Sequence, residues 1–148
     1  MFKKTWQKII LGFFLFLLAA SGIYWYYATE KFTDTALEKP AYTVNAADLL
    51  HAFQTDSKAA NQQYADKIVE VKGIITGTEA ADSSINIKMA DPGTGSYLIF
   101  AFQDQHLDEA AGLKKGDSVS IIGSCSGGVY SDILETHAIT FKRSALIK

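Results

Sequence analysis

Cys125, Asp132 and His137 lie close together near the C-terminal end of the chain. A thiol, a carboxylate and an imidazole are the parts of an activated cysteine nucleophile. Such a nucleophile needs its thiol pKa lowered by a helix N-terminus, a cation or an adjacent base. No such element accompanies this trio, and the sequence leaves its register on neighbouring strands open. The chain therefore reads as non-enzymatic, with a thiol-dependent enzyme or redox partner using Cys125 as the lesser alternative. A single cysteine forms no intramolecular disulfide, and a buried small hydrophobe is its plainer role. The three histidines have no second ligand at metal spacing. Asp82, Asp91, Asp104 and Asp108 do not follow a calcium-loop pattern. Nothing in the pattern calls for a metal or a cofactor.

The chemistry of recognition is better represented. Lys72, Asn86, Lys88, Tyr97 and Tyr130 are the candidate ligand-binding residues. Tyr97 or Tyr130 could stack on a base or a sugar, and Ile99 extends the same candidate face. Charge argues against nucleic acid as the ligand. From Glu30 onward there are 11 Lys and Arg against 16 Asp and Glu, a net of −5. Between Thr43 and Thr140 the balance is 6 against 13, a net of −7. Phosphate binding works by counterion release into a basic groove. Here Glu79 and Asp82 would repel phosphate, and lysine and arginine cluster only at Lys114–Lys115 and Lys142–Arg143. A protein, peptide or glycan is the expected ligand, and an oligonucleotide is the alternative.

These residues need elements to hold them. Asn45 is a good N-cap, with Asp48 three residues on. Leu49, Leu50 and Phe53 form an apolar patch, extended by Ala46, Ala60 and Tyr64, in a helix ending near Asp66. Thr55, Asp56 and Ser57 can break that helix in two. Strand signals run from Ile68 to Gly77 and from Ser84 to Met89, where Ile85, Ile87 and Met89 oppose Asn86 and Lys88. Asp91-Pro92-Gly93-Thr94-Gly95 is a turn. Tyr97 to Phe102 is a strand, and His106 to Leu113 a short helix. Ser118 to Gly123 and Ile133 to Phe141 are the last strands, with a Gly/Ser-rich loop at Ser124–Ser131 between them. The order predicts a mainly β domain: a five-stranded, OB-fold-like Greek-key barrel with a leading helix and a short helix between strands three and four. Gly73 and Gly123 suit sharp bends. In such a barrel ligands cross strands two and three, between the loops placed here at Thr78–Ser83 and Ser126–Ser131.

Three landmarks carry a family resemblance. Tyr64-Ala65-Asp66-Lys67 leads into Ile68-Val69-Glu70-Val71-Lys72-Gly73. Leu113-Lys114-Lys115-Gly116-Asp117-Ser118-Val119-Ser120-Ile121-Ile122-Gly123-Ser124-Cys125-Ser126-Gly127 is the second, and Ser131-Asp132-Ile133-Leu134 the third. Over roughly residues 44 to 141 the chain resembles the tRNA_anti-like family of bacterial OB-fold proteins. The resemblance implies an exported or membrane-anchored binding domain. It also implies a second cysteine in the last strand, near where Ala138 stands here.

Ile9 to Thr29 is an uncharged apolar run, IILGFFLFLLAASGIYWYYAT. As a helix it spans about 31 Å, enough to cross a bilayer. Lys3, Lys4 and Lys8 precede it, while Glu30, Lys31 and Asp34 follow. The lysine bias holds the N-terminus in the cytoplasm and puts the larger part outside. Tyr24, Trp25, Tyr26 and Tyr27 read as an interfacial anchor, with Trp6 on the near side. The competing reading is a signal peptide cleaved after the small residues Ala19–Gly22. The organisation expected is a cytoplasmic N-terminus at 1–8, a transmembrane helix at 9–29, a juxtamembrane linker at 30–42 and the OB-fold domain at 43–148. That is a single-pass protein of the cytoplasmic (inner) membrane with a periplasmic or extracytoplasmic domain.

Overall fold

The computed structural model describes residues 2–28 and 33–147 and divides into two units, meeting between Thr33 and Asp34. The first unit is helix α1 (Phe2–Ala28), with its described side chains exposed along the whole length. It is the one helix among the described residues long and apolar enough to cross a membrane. Thr29, Glu30 and Lys31 lie outside the described residues.

The second unit is a mixed sheet of seven strands with three helices. The strands are β1 (Tyr42–Asn45), β2 (Ile68–Ile74), β3 (Gly77–Ala81), β4 (Ser84–Ala90), β5 (Tyr97–Phe102), β6 (Ser118–Ser131) and β7 (Thr136–Ile147). The helices are α2 (Ala46–Thr55), α3 (Ser57–Tyr64) and α4 (Leu107–Ala111). Asp56 caps α3 through the Ala59 amide at 3.1 Å, so the Thr55-Asp56-Ser57 break is real.

The hydrogen-bonded order is β1-β2-β6-β7-β5-β4-β3. This corrects the five-stranded closed barrel: there are seven strands, and no ladder among the described residues closes the sheet. Two strands come from segments read as something else. Tyr42–Asn45 adds β1, parallel to β2. The expected first strand ends at Ile74, and the expected loop Thr78–Ser83 is mostly β3, joined to β4 by a turn at Asp82-Ser83. The Gly/Ser-rich segment is likewise no loop, because β6 runs on to Ser131. Glycine and serine are tolerated there because the strand is irregular, with register shifts between Ile122 and Ser124 and between Cys125 and Gly128.

The sheet is curled by its own connectivity. Only Ile75 and Thr76 separate β2 from β3, so the chain can travel about 11 Å between them. In a flat sheet those strands would stand five spacings apart, about 24 Å. The joint is bonded on both sides. Ile75 N–H donates to Asp117 O at 2.9 Å and Thr76 N–H to Lys88 O at 2.9 Å.

Curling gives the sheet an inside. Val69, Val71, Ile87, Leu98, Phe100, Ile121, Ile139 and Phe141 are fully buried there. Phe100 and Phe141 stack at 4.7 Å between centroids. Phe53 and Tyr64 from α2 and α3 join the same core.

The N-terminal part of the unit is fastened to it. Asp34–Ala41, read from the sequence as linker, packs on the domain. Thr35 is fully buried, and its N–H donates to Gln103 Oε1 at 3.3 Å. Asp34 caps the short 3-10 turn Thr35–Leu37 by accepting from the Ala36 amide at 3.0 Å. His106 Nε2 lies 2.7 Å from Asp34 Oδ1, and its Nδ1 lies 3.2 Å from Glu109 Oε2. The hydrogen bond from His106 holds the Asp34 carboxyl below its ordinary pKa. A lowered carboxyl pKa stabilises the fold above the ordinary aspartate range, and that contribution is lost as pH falls through the lowered value. Asp34→Asn is therefore expected to speed amide exchange at Ala36 and Leu37 at pH 7. The difference from the parent chain should vanish in strong acid.

Candidate functional site

Helix α2 buries Leu49 and Phe53 and turns another stripe to an open cleft. Ala46, Ala47, Leu50, His51 and Gln54 recur at the spacing of one helical face and form one wall. Lys72–Ile74 of β2, Thr76, and Met89–Pro92 at the end of β4 form the other. The cleft encloses about 680 Å³, within the range of small-ligand sites. Leu50 and Met89 are buried at its floor. Gly73 sets its width: a Cβ there would stand 2.8 Å from Ala46 Cβ and 2.9 Å from Met89 Sδ.

The two ends of the cleft differ in charge. At the start of α2, Asn45 stands in register with Lys72. At the far end, Gln54 Nε2 donates to Thr94 Oγ1 at 2.8 Å, and Thr94 Oγ1 donates to Asp91 Oδ2 at 3.0 Å. Asp91 Oδ1 also accepts from the Gly93 amide at 2.9 Å. That amide, then the Thr94 hydroxyl, lowers the Asp91 pKa and keeps the carboxylate ionised.

The structure divides the five candidate residues among three places. Lys72 lines the cleft. Lys88 Nζ sits 4.0 Å from the Tyr97 ring centroid, a cation–π contact across β4 and β5. Asn86, two residues before Lys88, shares its face. Tyr130 belongs elsewhere. Tyr97 aligns with Ala138 and Ala138 with Val129, so Val129 is on the Tyr97 face and Tyr130 on the opposite one. Tyr130 rests against His137, with ring centroids 4.8 Å apart, on the protruding end of the β6–β7 hairpin. Asn45, His51, Gln54 and Asp91 were not among the sequence candidates. For His51 and Gln54 the signal was the second stripe of α2, hidden because Leu50 reads as core, while Asn45 reads as a helix cap and Asp91 as part of a turn.

The thiol trio is not assembled. Cys125 is fully buried opposite Phe141, His137 rests at a tilt against Tyr130, and Asp132 stands in the hairpin turn. Burial raises the Cys125 pKa, which disfavours the thiolate. Ala138 pairs with Val129 and is not opposite Cys125. Among the described residues no three His, Cys, Asp or Glu side chains come together as a metal site. A thiol reagent is expected to leave the native protein unlabelled and to label Cys125 stoichiometrically in urea, as read by intact mass.

The family model described as tRNA_anti-like matches residues 1–135. The chain belongs to the tRNA_anti-like family. A solved structure from Klebsiella pneumoniae subsp. pneumoniae MGH 78578, named a "putative nucleic acid-binding lipoprotein", resembles this tRNA_anti-like chain with a TM-score of 0.56. It is 22% identical, and the match covers 71% of this chain and 91% of that one. At that identity the likeness concerns the fold. A weaker match, with a TM-score of 0.47 and 12% identity, is to a "putative aspartyl-tRNA synthetase" from Leishmania major Friedlin. It covers 88% of this chain and 26% of that one. No curated protein matches.

Proposed function

We propose that this tRNA_anti-like protein is a non-catalytic OB-fold binding module that takes a protein, peptide or glycan ligand and is held at a membrane by α1. The observation that carries the reading is the cleft along α2, with its apolar floor and a few polar groups at the rim. Its support for a non-catalytic role is the burial of Cys125 away from His137 and Asp132. The acidic balance of the domain supports a ligand other than nucleic acid. The length and hydropathy of α1 suit a membrane span and a signal sequence alike. Lys3, Lys4 and Lys8 support an anchor with its N-terminus in the cytoplasm and the domain on the outer side.

A second reading rests on Lys88 over Tyr97. An ammonium beside an aromatic ring on a curled sheet is a combination used to hold a single-stranded base. Fluorescence anisotropy on the full-length chain in lipid nanodiscs, with labelled single-stranded oligonucleotides at low salt beside peptide and glycan panels, separates the readings. Binding of a peptide or glycan with no oligonucleotide binding is expected. Oligonucleotide binding that Lys88→Ala and Tyr97→Ala abolish would replace the first reading with the second. Protease applied to cells stripped of any outer membrane and wall should remove the domain; protection until the cytoplasmic membrane is opened refutes the outward placement.

A further inference from the structure

The cleft is dipolar, and its polarity specifies a ligand more narrowly than its shape does. Lys72 stands at the rim of one end, in register with Asn45 at the start of α2, and leaves β2 on the face opposite Gly73. Asp91 marks the other, tied through Thr94 to Gln54 near the end of the same helix. Nine residues of helix separate Asn45 from Gln54, about 14 Å. Among the described residues no carboxylate pairs with Lys72. Asp48 lies beside Asn45, which donates to it at 3.5 Å, but does not line the cleft. Asp91 has spent lone pairs on its own turn and retains its charge and further acceptor capacity. Between the two ends the cleft is apolar, with Leu50 and Met89 buried at its floor.

We infer that the cleft binds a short zwitterionic peptide of apolar residues. Its C-terminal carboxylate lies at Lys72 and its N-terminal ammonium at Asp91. An extended chain advances about 3.4 Å per residue, so four residues match the span. This rests on the binding-module reading and narrows its ligand. A free tetrapeptide and the exposed end of a partner protein share one charged terminus but not both, which makes the distinction testable.

The experiment is isothermal titration of the full-length chain in nanodiscs with Ala-Leu-Ala-Leu. The peptide is used free, N-acetylated, C-amidated and blocked at both ends. The free peptide is expected to bind best. C-amidation and Lys72→Gln should each weaken binding at least fivefold, and the amide should lose nothing further on the Lys72→Gln chain. Acetylation and Asp91→Asn should behave as the matching pair, and asparagine can still accept from the Gly93 amide to keep the turn. Sensitivity to the carboxylate alone would assign the site to a protein C-terminus and overturn the free-peptide inference. Equal binding of the doubly blocked peptide would overturn it too while leaving a binding module in place. No binding by any peptide or glycan would remove both.

Discussion

Replacing Phe53 by alanine is expected to remove about 3–5 kcal/mol of stability, a large share of what a domain of this size possesses. Phe53 is fully buried where α2 crosses the sheet. Its ring occupies the space a side chain at Gly128 would need: a Cβ there would stand 2.7 Å from Phe53 Cδ1 and 3.0 Å from Ile139 Cγ1. The Tyr64 ring lies 6.3 Å away, and Tyr64 meets Tyr42 edge-on at 5.1 Å. One ring thus ties together α2, α3, β1 and the β6–β7 hairpin. Gly128 and Ile139 are paired in the β6–β7 ladder on one side of the ring, so the void would collapse only in part. Both tryptophans, Trp6 and Trp25, are in α1, so urea unfolding of the second unit is best followed by tyrosine near-ultraviolet circular dichroism. A loss below about 1.5 kcal/mol would show that α2 repacks and that the ring is not the link described.

Asn61→Ala is expected to cost about 2–3 kcal/mol, with most of the effect local. At the irregular stretch between Cys125 and Gly128 the β6–β7 ladder lapses. The Asn61 side chain from α3 takes its place. Asn61 Nδ2 donates to Gly128 O at 3.1 Å, and Gly128 N–H donates to Asn61 Oδ1 at 2.9 Å. Alanine leaves a half-buried donor and acceptor together without partners. Gly127 makes the approach possible: it has φ +93, and a Cβ there would stand 2.5 Å from Asn61 Oδ1. Hydrogen exchange should report it, with the Gly128 amide losing protection while Val71 and Ile121 keep theirs. Asn61→Asp, which keeps the acceptor and loses the donor, should fall between the two.

Strands rich in apolar residues were legible. Ser84–Ala90 and Tyr97–Phe102 lie within a residue of their expected bounds, the first because Ile85, Ile87 and Met89 alternate with polar residues and the second because its run is apolar on both faces. Strands held by tertiary context were not. Gly77–Ala81 carries no apolar pattern and is a strand because β4 pairs with it. The end of β6 has loop composition, and the Asn61 side chain and β7 keep it extended. Asp34–Thr35 holds its place through His106 and Gln103, some seventy residues away, a link with no periodic signature. Of the candidate site, single residues such as Lys72, Lys88 and Tyr97 were legible by type. Their grouping was not, because a one-residue change of register moves a side chain to the other face. Tyr130 was expected at the rim of that face because Ser126–Ser131 reads as a loop, whereas β6 runs through it and turns Tyr130 to the other face.

The strand order has a consequence for how the protein is made. β7, the last of these seven strands in chain order, lies in the middle of the sheet, with β6 on one side and β5 on the other. Val71 and Ile121 can pair before it exists, as can Lys88 and Ile99, but only as two separate ribbons. Each ribbon then exposes an unpaired inner edge until β7 has been made. A chain terminated before Thr136 should accumulate as aggregate or be degraded, and full-length nascent chains should dwell on holding chaperones until the final strand slots in.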